Sequence, residues 1–566
     1  MKVSDYIALT LKENGIEKVF GFQGSNVTHL INSIYNTEGI EYIQNNHEQA
    51  SAFAACAYSE VTNNLGAAIS SSGPGAINMI SGIANAWLDS VPVVFLTGQL
   101  NSKTLSPSKE YRQHGFQEFN IVETVKDFTK YAVTVLDPLE IKYHLEKAIY
   151  LAKSDRKGGV LLDLPHNIQT ADVDIASLKG YVQESEEILY ATGEEISESL
   201  KLIKSAKRPL VLLGGGAKEL RGSSYFYDFL SYFDLPVVAS LRGLDVIPHN
   251  SKHFFGFIGS YGNRYANIAV SESDLLIVLG SRLDFRQIGD MPNEFAKNAK
   301  IIHVDISKEE LNHNITPTIA INCSCSTFIR GMYDVFNGET IEYPLWFKRL
   351  NELKRQYPIY SDEDTKTLPN EIIYHASRYF TGEDVITGDV GQNQMWTAQS
   401  VSLMDSMRLL NSAGLGSMGY SLPAAIGAAM AKDNIKVLSI SGDGGIQMNI
   451  QELATVRRHN LPIKIMVMNN MSLGLIRTYQ NIVFRNAVGS VDGFSSPDYR
   501  LLAKSYGIRY MVVETVDDIL KLKNKFLDNK PLLVEVKLSC DTEVHPEPAY
   551  QKPVYIQAPL VKEESI

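Results

Sequence analysis

Residues 441–474, SGDGGIQMNIQELATVRRHNLPIKIMVMNNMSLG, constrain the fold more than any other stretch of the chain. The motif Gly442-Asp443-Gly444-Gly445 follows the apolar run IKVLSI, and a second apolar run, IKIMVM, ends at Asn469-Asn470. Such short apolar runs are typical of buried parallel strands, and the segment between them has helical spacing. The sequence therefore predicts a β-α-β unit. Its two polar motifs would lie at the carboxyl ends of neighbouring strands, where open α/β sheets bind ligands.

The residues of these two motifs suit a bound diphosphate and a divalent cation. Glycines at a helix start leave N–H groups free for an anion. The Asp443 carboxylate beside such an anion site makes sense only if a cation bridges the two, and Asn470 adds a neutral amide oxygen. Mg²⁺ takes one or two protein oxygens of this kind and completes its shell with phosphate and water. The alternative is that the glycines form only a strand-to-helix turn.

The motif GDG, followed after 24 residues by NN, resembles the fingerprint of thiamine-diphosphate-dependent enzymes. The wider chain is similar to their acetolactate synthase branch, in its large or catalytic subunit. The resemblance implies that Asp443, Asn470 and the carbonyl of Ser472 hold Mg²⁺. It also implies that Gly442, Gly444 and Gly445 contact the cofactor.

The length of 566 residues predicts about three or four domains. Helices alternate with short apolar strands and glycine turns, which predicts an α/β protein with doubly wound parallel sheets. With the names that the resemblance supplies, we expect a pyrimidine-binding domain at 1–170, a central domain at 190–335 and a diphosphate-binding domain at 365–540. Residues 347–367 form a charged linker, and residues 541–566 form a proline-rich tail that is either an ordered lid or a disordered end.

Glu48 stands in the segment HEQAS, between a predicted strand and a helix rich in small residues. As a structural residue it would complement the dipole of that helix. The segment resembles the one that carries the family's catalytic glutamate, which hydrogen-bonds N1′ of the aminopyrimidine and exchanges a proton with it. The resemblance therefore implies a catalytic role for Glu48.

Phe116 and Gln117 resemble a Phe-Gln pair that lines the family's substrate pocket. The resemblance implies that Gln117 bonds the reacting molecule and that Phe116 packs on it. Near this pocket the chain departs from the family, because Gln23-Gly24-Ser25-Asn26 stands where acetolactate synthases carry Pro-Gly-Gly.

The central domain resembles the FAD-binding domain of acetolactate synthases, in which FAD often has no redox role. The expected dinucleotide contacts lie in glycine turns, in an Arg-x-Asp-x-Arg pattern and at a strand tip: Gly214, Gly215, Gly216, Arg282, Asp284, Arg286 and Asp305. Two features depart from the family. Ser260-Tyr261 replaces Met-His, and the acid expected after Cys323 is absent.

In the third domain, Gly391-Gln392-Asn393 resembles the family's Gly-Gln-His diphosphate contacts. Gly416 and Met418 lie in a small-residue turn, GLGSMG, and would also contact the cofactor. Met418 would otherwise be a core residue. By the resemblance it is the bulky apolar residue, 24 positions before GDG, that forces the cofactor into a bent shape.

The resemblance implies decarboxylation of a 2-keto acid, with pyruvate as the best guess, and transfer of the two-carbon unit to an acceptor carbonyl. Tyr479 stands where acetolactate synthases carry an acceptor-selecting Trp. This favours, as the alternative, the ketone of a nucleotide-linked sugar. A plain decarboxylase is disfavoured by Gln113-His114 in place of His-His, and a glyoxylate carboligase by the presence of Glu48. A catalytically silent cofactor-binding paralogue is the remaining alternative.

The net charge of −11, without a basic run, argues against nucleic acid and anionic membrane as partners. No apolar run reaches the ~18 residues of a membrane span. Four cysteines without a CxxC pattern, and an N-terminus typical of a charged amphipathic helix, predict a cytoplasmic protein with reduced thiols. Because Glu48 and Asp443 lie in different domains, the resemblance implies a homodimer or homotetramer.

Overall fold

Three parallel sheets of six strands each form the framework of the molecule. The computed structural model describes residues 1–106, 110–183, 188–336, 338, 340–360 and 368–560. The predicted α/β class with three doubly wound parallel sheets is confirmed. Part of the predicted linker, residues 361–367, and the end of the tail, residues 561–566, lie outside the described residues.

The first sheet has the strand order β2-β1-β3-β4-β6-β5, and every pairing in it is parallel. Its strands are β1 Lys18–Gly21, β2 Glu41–Gln44, β3 Gly66–Ser70, β4 Val93–Gln99, β5 Tyr131–Thr134 and β6 Gly159–Pro165. Its helices are α1 Val3–Glu13, α2 Thr28–Asn36, α3 Glu48–Thr62, α4 Pro74–Leu88, α5 Ile121–Val125, α6 Ile141–Lys153 and α7 His166–Gln169.

The central sheet has the order β12-β11-β10-β7-β8-β9. Its strands are β7 Pro209–Leu213, β8 Val237–Ala239, β9 Phe254–Phe257, β10 Leu275–Leu279, β11 Lys300–Asp305 and β12 Ile319–Asn322. The helices of this part of the chain are α8 Gly193–Ser205, α9 Ser224–Tyr232, α10 Arg264–Glu272, α11 Phe285–Ile288, α12 Cys325–Asp334 and α13 Pro344–Gln356.

The third sheet, β14-β13-β15-β16-β18-β17, repeats the topology of the first. Its strands are β13 Val385–Gly388, β14 Arg408–Asn411, β15 Val437–Gly442, β16 Ile463–Asn469, β17 Arg509–Val513 and β18 Leu532–Lys537. Its helices are α14 Leu368–Ser377, α15 Gln392–Ser400, α16 Ser421–Ala431, α17 Asp443–Met448, α18 Leu453–Arg458, α19 Gly474–Val483, α20 Tyr499–Ser505, α21 Val516–Lys521 and α22 Lys523–Leu527. The tail adds a short antiparallel pair, β19 Glu547–Pro548 and β20 Gln557–Ala558.

The β-α-β unit predicted around the GDGG motif is present, with one difference. Strands β15 and β16 pair in parallel along their length, as expected for neighbours. The single helix expected between them is interrupted at Asn449, which leaves the helical conformation with φ −134°. The Asn449 side chain donates to the carbonyl of Gly419 at 2.9 Å and to Gln49 Oε1 at 3.0 Å. The break therefore lets one asparagine contact two other elements.

Helices α3 and α16 join the first sheet to the third through a close backbone contact. A Cβ at Gly427 of α16 would collide with the main-chain carbonyl of Ala54 in α3. Alanines on both helices are fully buried at this contact, and the rings of Phe53 and Tyr420 meet edge to face at 5.4 Å. The relative position of the two sheets therefore depends on the absence of a side chain at Gly427.

We expect Gly427→Ala to destabilise the protein by about 1–3 kcal/mol, because the added methyl group overpacks a contact between two rigid helices. The measurement is the urea midpoint of unfolding. Gly193→Ala is the matched control, since Gly193 also lies in a helix but has no atom within 4 Å of its Cβ position. An equal midpoint for the two variants would contradict the role given to this contact.

Candidate active site

The turns that follow β13, β15 and β16 meet at one edge of the third sheet. The three strands are adjacent and parallel, so their carboxyl ends share this edge. Asn470 Nδ2 donates to Gln392 Oε1 at 2.9 Å, and a Cβ at Gly442 would lie 3.3 Å from Asn393 Nδ2. The structure thus brings together the predicted residues of three separate motifs. We call this group the Asp443 cluster: Gly391, Gln392, Asn393, Gly442, Asp443, Gly444, Gly445, Asn470 and Ser472.

The carboxylate of Asp443 is buried at the start of α17, with 1% of the residue exposed. Its oxygens accept from the N–H groups of Ser472 at 3.2 Å and Gly444 at 3.0 Å. Burial raises the pKa of Asp443 to about 6, although these N–H groups act in the opposite direction. No Lys, Arg or His among the described residues pairs with it. A buried carboxylate that has no cationic side chain beside it favours the binding of a cation.

Two further polar atoms of the Asp443 cluster are buried without a partner among the described residues. They are Asn393 Oδ1 and Ser472 Oγ. Buried polar atoms are normally hydrogen-bonded. Two such atoms without a hydrogen-bond partner beside a glycine turn therefore indicate that a polar ligand binds there. The described residues include no group of three or more His, Cys, Asp or Glu that fits a metal. The Asp443 cluster offers one carboxylate and neutral oxygens instead. This donor set fits a Mg²⁺ ion that completes its coordination shell with phosphate oxygens.

Met418 lies against the start of α17. Its Cε is 3.3 Å from the position of a Cβ at Gly444, where a side chain would also collide with Leu473. The turn around Met418 uses left-handed glycines, with φ +71° at Gly416 and +81° at Gly419. The structure thus places the predicted Gly416 and Met418 beside the Asp443 cluster.

Glu48 begins α3 and is 8% exposed. Its Oε2 accepts from Asn78 Nδ2 of α4 at 3.0 Å, and its Oε1 is 3.1 Å from the position of a Cβ at Gly75. The carboxylate therefore lies at the amino-terminal end of α4, where N–H groups favour negative charge.

The predicted substrate residues lie around this same end of the first sheet. The carbonyl oxygen of Gln117, a residue with φ +63°, is 2.8 Å from the position of a Cβ at Gly73. Phe116 is 84% exposed. Ser71 lies between two glycines of this region. Its Cβ is 2.5 Å from the position of a Cβ at Gly24 and 3.6 Å from the position of a Cβ at Gly75. We call Glu48, Ser71, Gly73, Gly75, Gln117 and the turn at residues 23–26 the Glu48 cluster.

The two clusters are not joined within one chain. Hydrogen bonds do connect the neighbouring segments, as Asn46 N donates to Glu452 Oε1 at 2.8 Å. Over the described ranges, however, no hydrogen bond or ion pair links Glu48, Phe116 or Gln117 to the Asp443 cluster. The structure therefore assembles the predicted site as two halves, on the edges of two sheets.

A cavity of about 380 Å³ lies between the central sheet and the other two. Of the predicted dinucleotide residues, six line it: Gly215, Gly216, Arg282, Asp284, Arg286 and Asp305. The exception is Gly214, where a Cβ would collide with the carbonyl of Gly280, so this glycine permits close packing of two turns. Asp305 lies at the end of β11, and burial raises its pKa, although the N–H of Ser307 opposes the shift.

A buried ion-pair network that the sequence did not predict lies beside this cavity, and four of its members, Glu60, Lys218, Arg242 and Arg408, line it. Glu60 of α3 pairs with Lys218 and Arg242, each at 3.0 Å. Asp245 pairs with Arg408 of β14 at 2.9 Å and with Lys218 at 3.6 Å. We call these five residues the interdomain network. They come from all three parts of the chain, so no local spacing signalled their association.

The tail passes over the Asp443 cluster. The carbonyl oxygen of Thr542 accepts from Gln392 Nε2 at 3.1 Å and from Arg477 Nη2 at 2.9 Å. Further along, Gln557 Nε2 donates to the carbonyl of Gly262 at 2.9 Å. Residues 541–560 therefore connect the edge of the third sheet to the central part of the molecule.

Comparison with known families gives three matches along the chain. The profile of the thiamine pyrophosphate enzyme N-terminal TPP binding domain matches residues 1–124, that of the central domain matches 196–332, and that of the C-terminal TPP binding domain matches 389–536.

No helix of the described chain has the length and apolar character needed to cross a membrane.

Similar proteins occur in bacteria and archaea. The acetolactate synthase large subunit of Lactococcus lactis subsp. lactis (strain IL1403) is 34% identical, over 96% of this chain and 93% of the relative. A probable acetolactate synthase large subunit of Methanocaldococcus jannaschii is 33% identical, over 95% and 92%. The acetolactate synthase isozyme 2 large subunit of Escherichia coli (strain K12) is 31% identical, over 95% and 96%.

The interdomain network predicts a pH dependence of stability. Burial alone would raise the pKa of Glu60, but Arg242, Lys218 and Arg408 outweigh it and lower the pKa to about 2. A lowered pKa stabilises the fold above the unfolded pKa of about 4.3, and this stabilisation is lost as the pH falls towards 2. We expect the urea midpoint to fall with pH in this range, and Glu60→Gln to reduce the slope.

Glu198→Gln is the control for this experiment, because Glu198 is exposed and in no ion pair among the described residues. It should keep the wild-type slope between pH 5 and pH 3. At pH 7 we also expect Glu60→Gln to lower stability by about 3–5 kcal/mol, since it leaves buried cations unpaired. A slope in Glu60→Gln equal to that of the wild type would contradict the prediction.

Proposed function

Because this chain belongs to the thiamine pyrophosphate enzyme family, in the branch of the acetolactate synthase large subunits, we propose that it decarboxylates a 2-keto acid and ligates the two-carbon unit to an acceptor carbonyl. Pyruvate is the proposed donor. One observation carries the proposal: the three turns of the Asp443 cluster meet at one sheet edge around a buried carboxylate without a cationic partner. When bound, thiamine diphosphate supplies the electron sink for the decarboxylation.

The Asp443 cluster would hold the diphosphate end of the cofactor and its metal ion. Asp443, the Asn470 amide oxygen and the Ser472 carbonyl would bind Mg²⁺. Gly442, Gly444 and Gly445 at the start of α17 would contact the diphosphate through the main chain, and the unpaired Asn393 Oδ1 is a polar atom that needs a partner. Met418, which packs on Gly444, would support the thiazolium ring from below.

Glu48 would exchange a proton with the aminopyrimidine of the cofactor. Its Oε2 is held by Asn78, so the carboxyl group has a fixed orientation at the amino-terminal end of α4. Gln117 and Phe116, on the turn beside Gly73, would contact the substrate. The approach of Gln117 to Gly73, two residues before the Gly75 that Glu48 contacts, supports this assignment.

A second copy of the chain would complete the site, as a homodimer or a dimer of dimers. Within one chain the Glu48 and Asp443 clusters are not joined by any hydrogen bond between described residues. Helix α19, directly after the Asp443 cluster, carries apolar residues that are 49% to 65% exposed: Ile476, Tyr479, Ile482 and Val483. A large exposed apolar surface beside an incomplete site is typical of a subunit interface.

FAD without a redox role is the proposed ligand of the central cavity. Arg282, Arg286 and Asp305 would hold its nucleotide part, since cationic side chains suit a diphosphate and a carboxylate at a strand tip suits a ribose. Ser260 and Tyr261, which replace the family's Met-His, also line this cavity. The proposed functional units are residues 1–170, 190–335 and 365–540, with a tail at 541–566.

The cytoplasm is the proposed compartment, since the four cysteines are free and three of them are buried.

A keto-sugar linked to a nucleotide is the second candidate for the acceptor. The observation that favours it is the polar lining of the Glu48 cluster, where Asn26 Nδ2 donates to Ser72 Oγ at 2.5 Å and Ser71 lies against Gly24. Amide and hydroxyl groups suit a hydroxylated acceptor more than the methyl group of a second pyruvate. Tyr479, at the position of the acceptor-selecting Trp, is 61% exposed.

The direct test is turnover of pyruvate with thiamine diphosphate and Mg²⁺, with CO₂ and carbon–carbon-bonded products read by NMR. We expect CO₂ release with acetolactate as the main product. Glu48→Gln should bind the cofactor yet lose exchange of its C2 proton, and Asp443→Ala should lose Mg²⁺-dependent binding. Slow CO₂ release with little acetolactate would favour the sugar acceptor. Cofactor binding without any CO₂ would contradict the proposal and support a silent paralogue.

Mixing two inactive variants tests the assembly of the site. In a heterodimer of Glu48→Gln and Asp443→Ala, an intersubunit site would pair the intact Glu48 of one chain with the intact Asp443 of the other. Random reassortment would then restore about a quarter of wild-type activity, since half of the dimers are mixed and each has one intact site. Each variant mixed with itself is the control. No recovery in verified heterodimers would place both halves of the site in one chain.

A further inference from the structure

Asp389 lies one residue beyond β13 and is 1% exposed. Its Oδ1 accepts from the N–H groups of Val390 at 2.8 Å and Gly419 at 2.9 Å, and its Oδ2 accepts from the N–H of Ser421 at 3.0 Å. It forms no ion pair with a described residue. Main-chain N–H groups from two separate segments therefore compensate for the burial of this carboxylate.

Two of these donors, Gly419 and Ser421, directly follow Met418 in the chain. Gly419 is the next residue along the chain, and Ser421 is the first residue of α16. On the other side of the turn, a Cβ at Gly419 would lie 2.5 Å from Met448 Cβ of α17. The turn is thus held between the Asp389 carboxylate and helix α17.

The same carboxylate also packs on the start of α17. A Cβ at Gly445 would lie only 2.7 Å from Asp389 Oδ1. The neighbouring Gly444 is the glycine against which Met418 Cε rests, at 3.3 Å from the Cβ position. The Asp389 carboxylate therefore contacts the turn that carries Met418 and also the start of α17. The distance between these two elements determines how Met418 packs on Gly444.

We propose that Asp389 is a positioning residue that fixes Met418 against the start of α17 and so sets the conformation in which the cofactor reacts. The inference rests on the proposed use of thiamine diphosphate. Asp389 acts through the main-chain N–H groups of Gly419 and Ser421 and need not touch the cofactor. A displacement of about 1 Å in a supporting group lowers a rate on the order of 10²-fold.

The test is Asp389→Asn, whose amide group cannot accept all three N–H bonds because one oxygen becomes a donor. The readout is the rate of H/D exchange at C2 of the bound cofactor, with cofactor affinity measured separately. We expect exchange to slow on the order of 10²-fold while affinity falls less than tenfold. Asp389→Asn with exchange at the wild-type rate would overturn the inference.

Asp163→Asn is the matched control. Asp163 is equally buried and accepts three hydrogen bonds, from Thr97, Gln99 and Thr134, but it belongs to β6 of the first sheet. It should lower the thermal midpoint without slowing C2 exchange. Equal slowing in Asp163→Asn and Asp389→Asn would show a merely structural effect and overturn the inference.

A double-mutant cycle with Met418→Ala tests the route of the effect. If Asp389 acts through Met418, the double variant exchanges no more slowly than the slower single variant. Additive losses would overturn the inference. Should Asp389→Asn not fold, Asp389→Glu keeps the charge but lengthens the side chain, so the carboxylate no longer fits between Gly419 and Ser421, and it is expected to give the same loss. Absence of C2 exchange in the wild type would instead refute the proposed function, so the two failures are distinguishable.

Discussion

The packing of helix α3 is the constraint on which the rest of the structure depends. The helix is buried along nearly its whole length, which requires neighbours that approach it with little or no side chain. Gly427 of α16 and Gly82 of α4 meet its backbone and its alanines directly, and a Cβ at Gly66 of β3 would collide with the Ala55 carbonyl. This packing fixes the position of Glu48 at the start of α3 and of Glu60 near its end.

Three buried carboxylates show different ways of compensating for a charge inside the protein. Glu60 is paired with two cations, which lower its pKa to about 2. Asp389 and Asp443 have main-chain donors but no cation, and burial raises the pKa of each to about 6. In both, main-chain N–H groups reach each carboxylate oxygen, and those of Asp389 come from the turn that follows Met418. Beside Asp443, Asn393 Oδ1 and Ser472 Oγ have no partner among the described residues, which supports the proposal that this carboxylate binds a metal ion.

Much of the fold followed from local patterns. The apolar runs at β15 and β16 predicted neighbouring parallel strands, and the structure pairs them in register. The edge strands β5, β9 and β14 were not predicted, because their sequences show no strong alternation of apolar and polar residues. The break at Asn449 was missed for another reason. The apolar spacing continues through it, and only contacts with Gln49 and Gly419 make the interruption favourable.

The sequence by itself determined the chemistry at each strand end, because glycine spacing, a carboxylate and an amide are local properties of a turn. On that basis Asp443 and Asn470 were singled out, while the resemblance to the family selected Glu48, and the three turns of the Asp443 cluster do meet. Only the tertiary structure decided which ends come together. It joins Asn46 to Glu452 and Glu60 to Arg242, and it directs Asp389 to Gly419. Each of these contacts links residues far apart in sequence, so no local pattern encodes it.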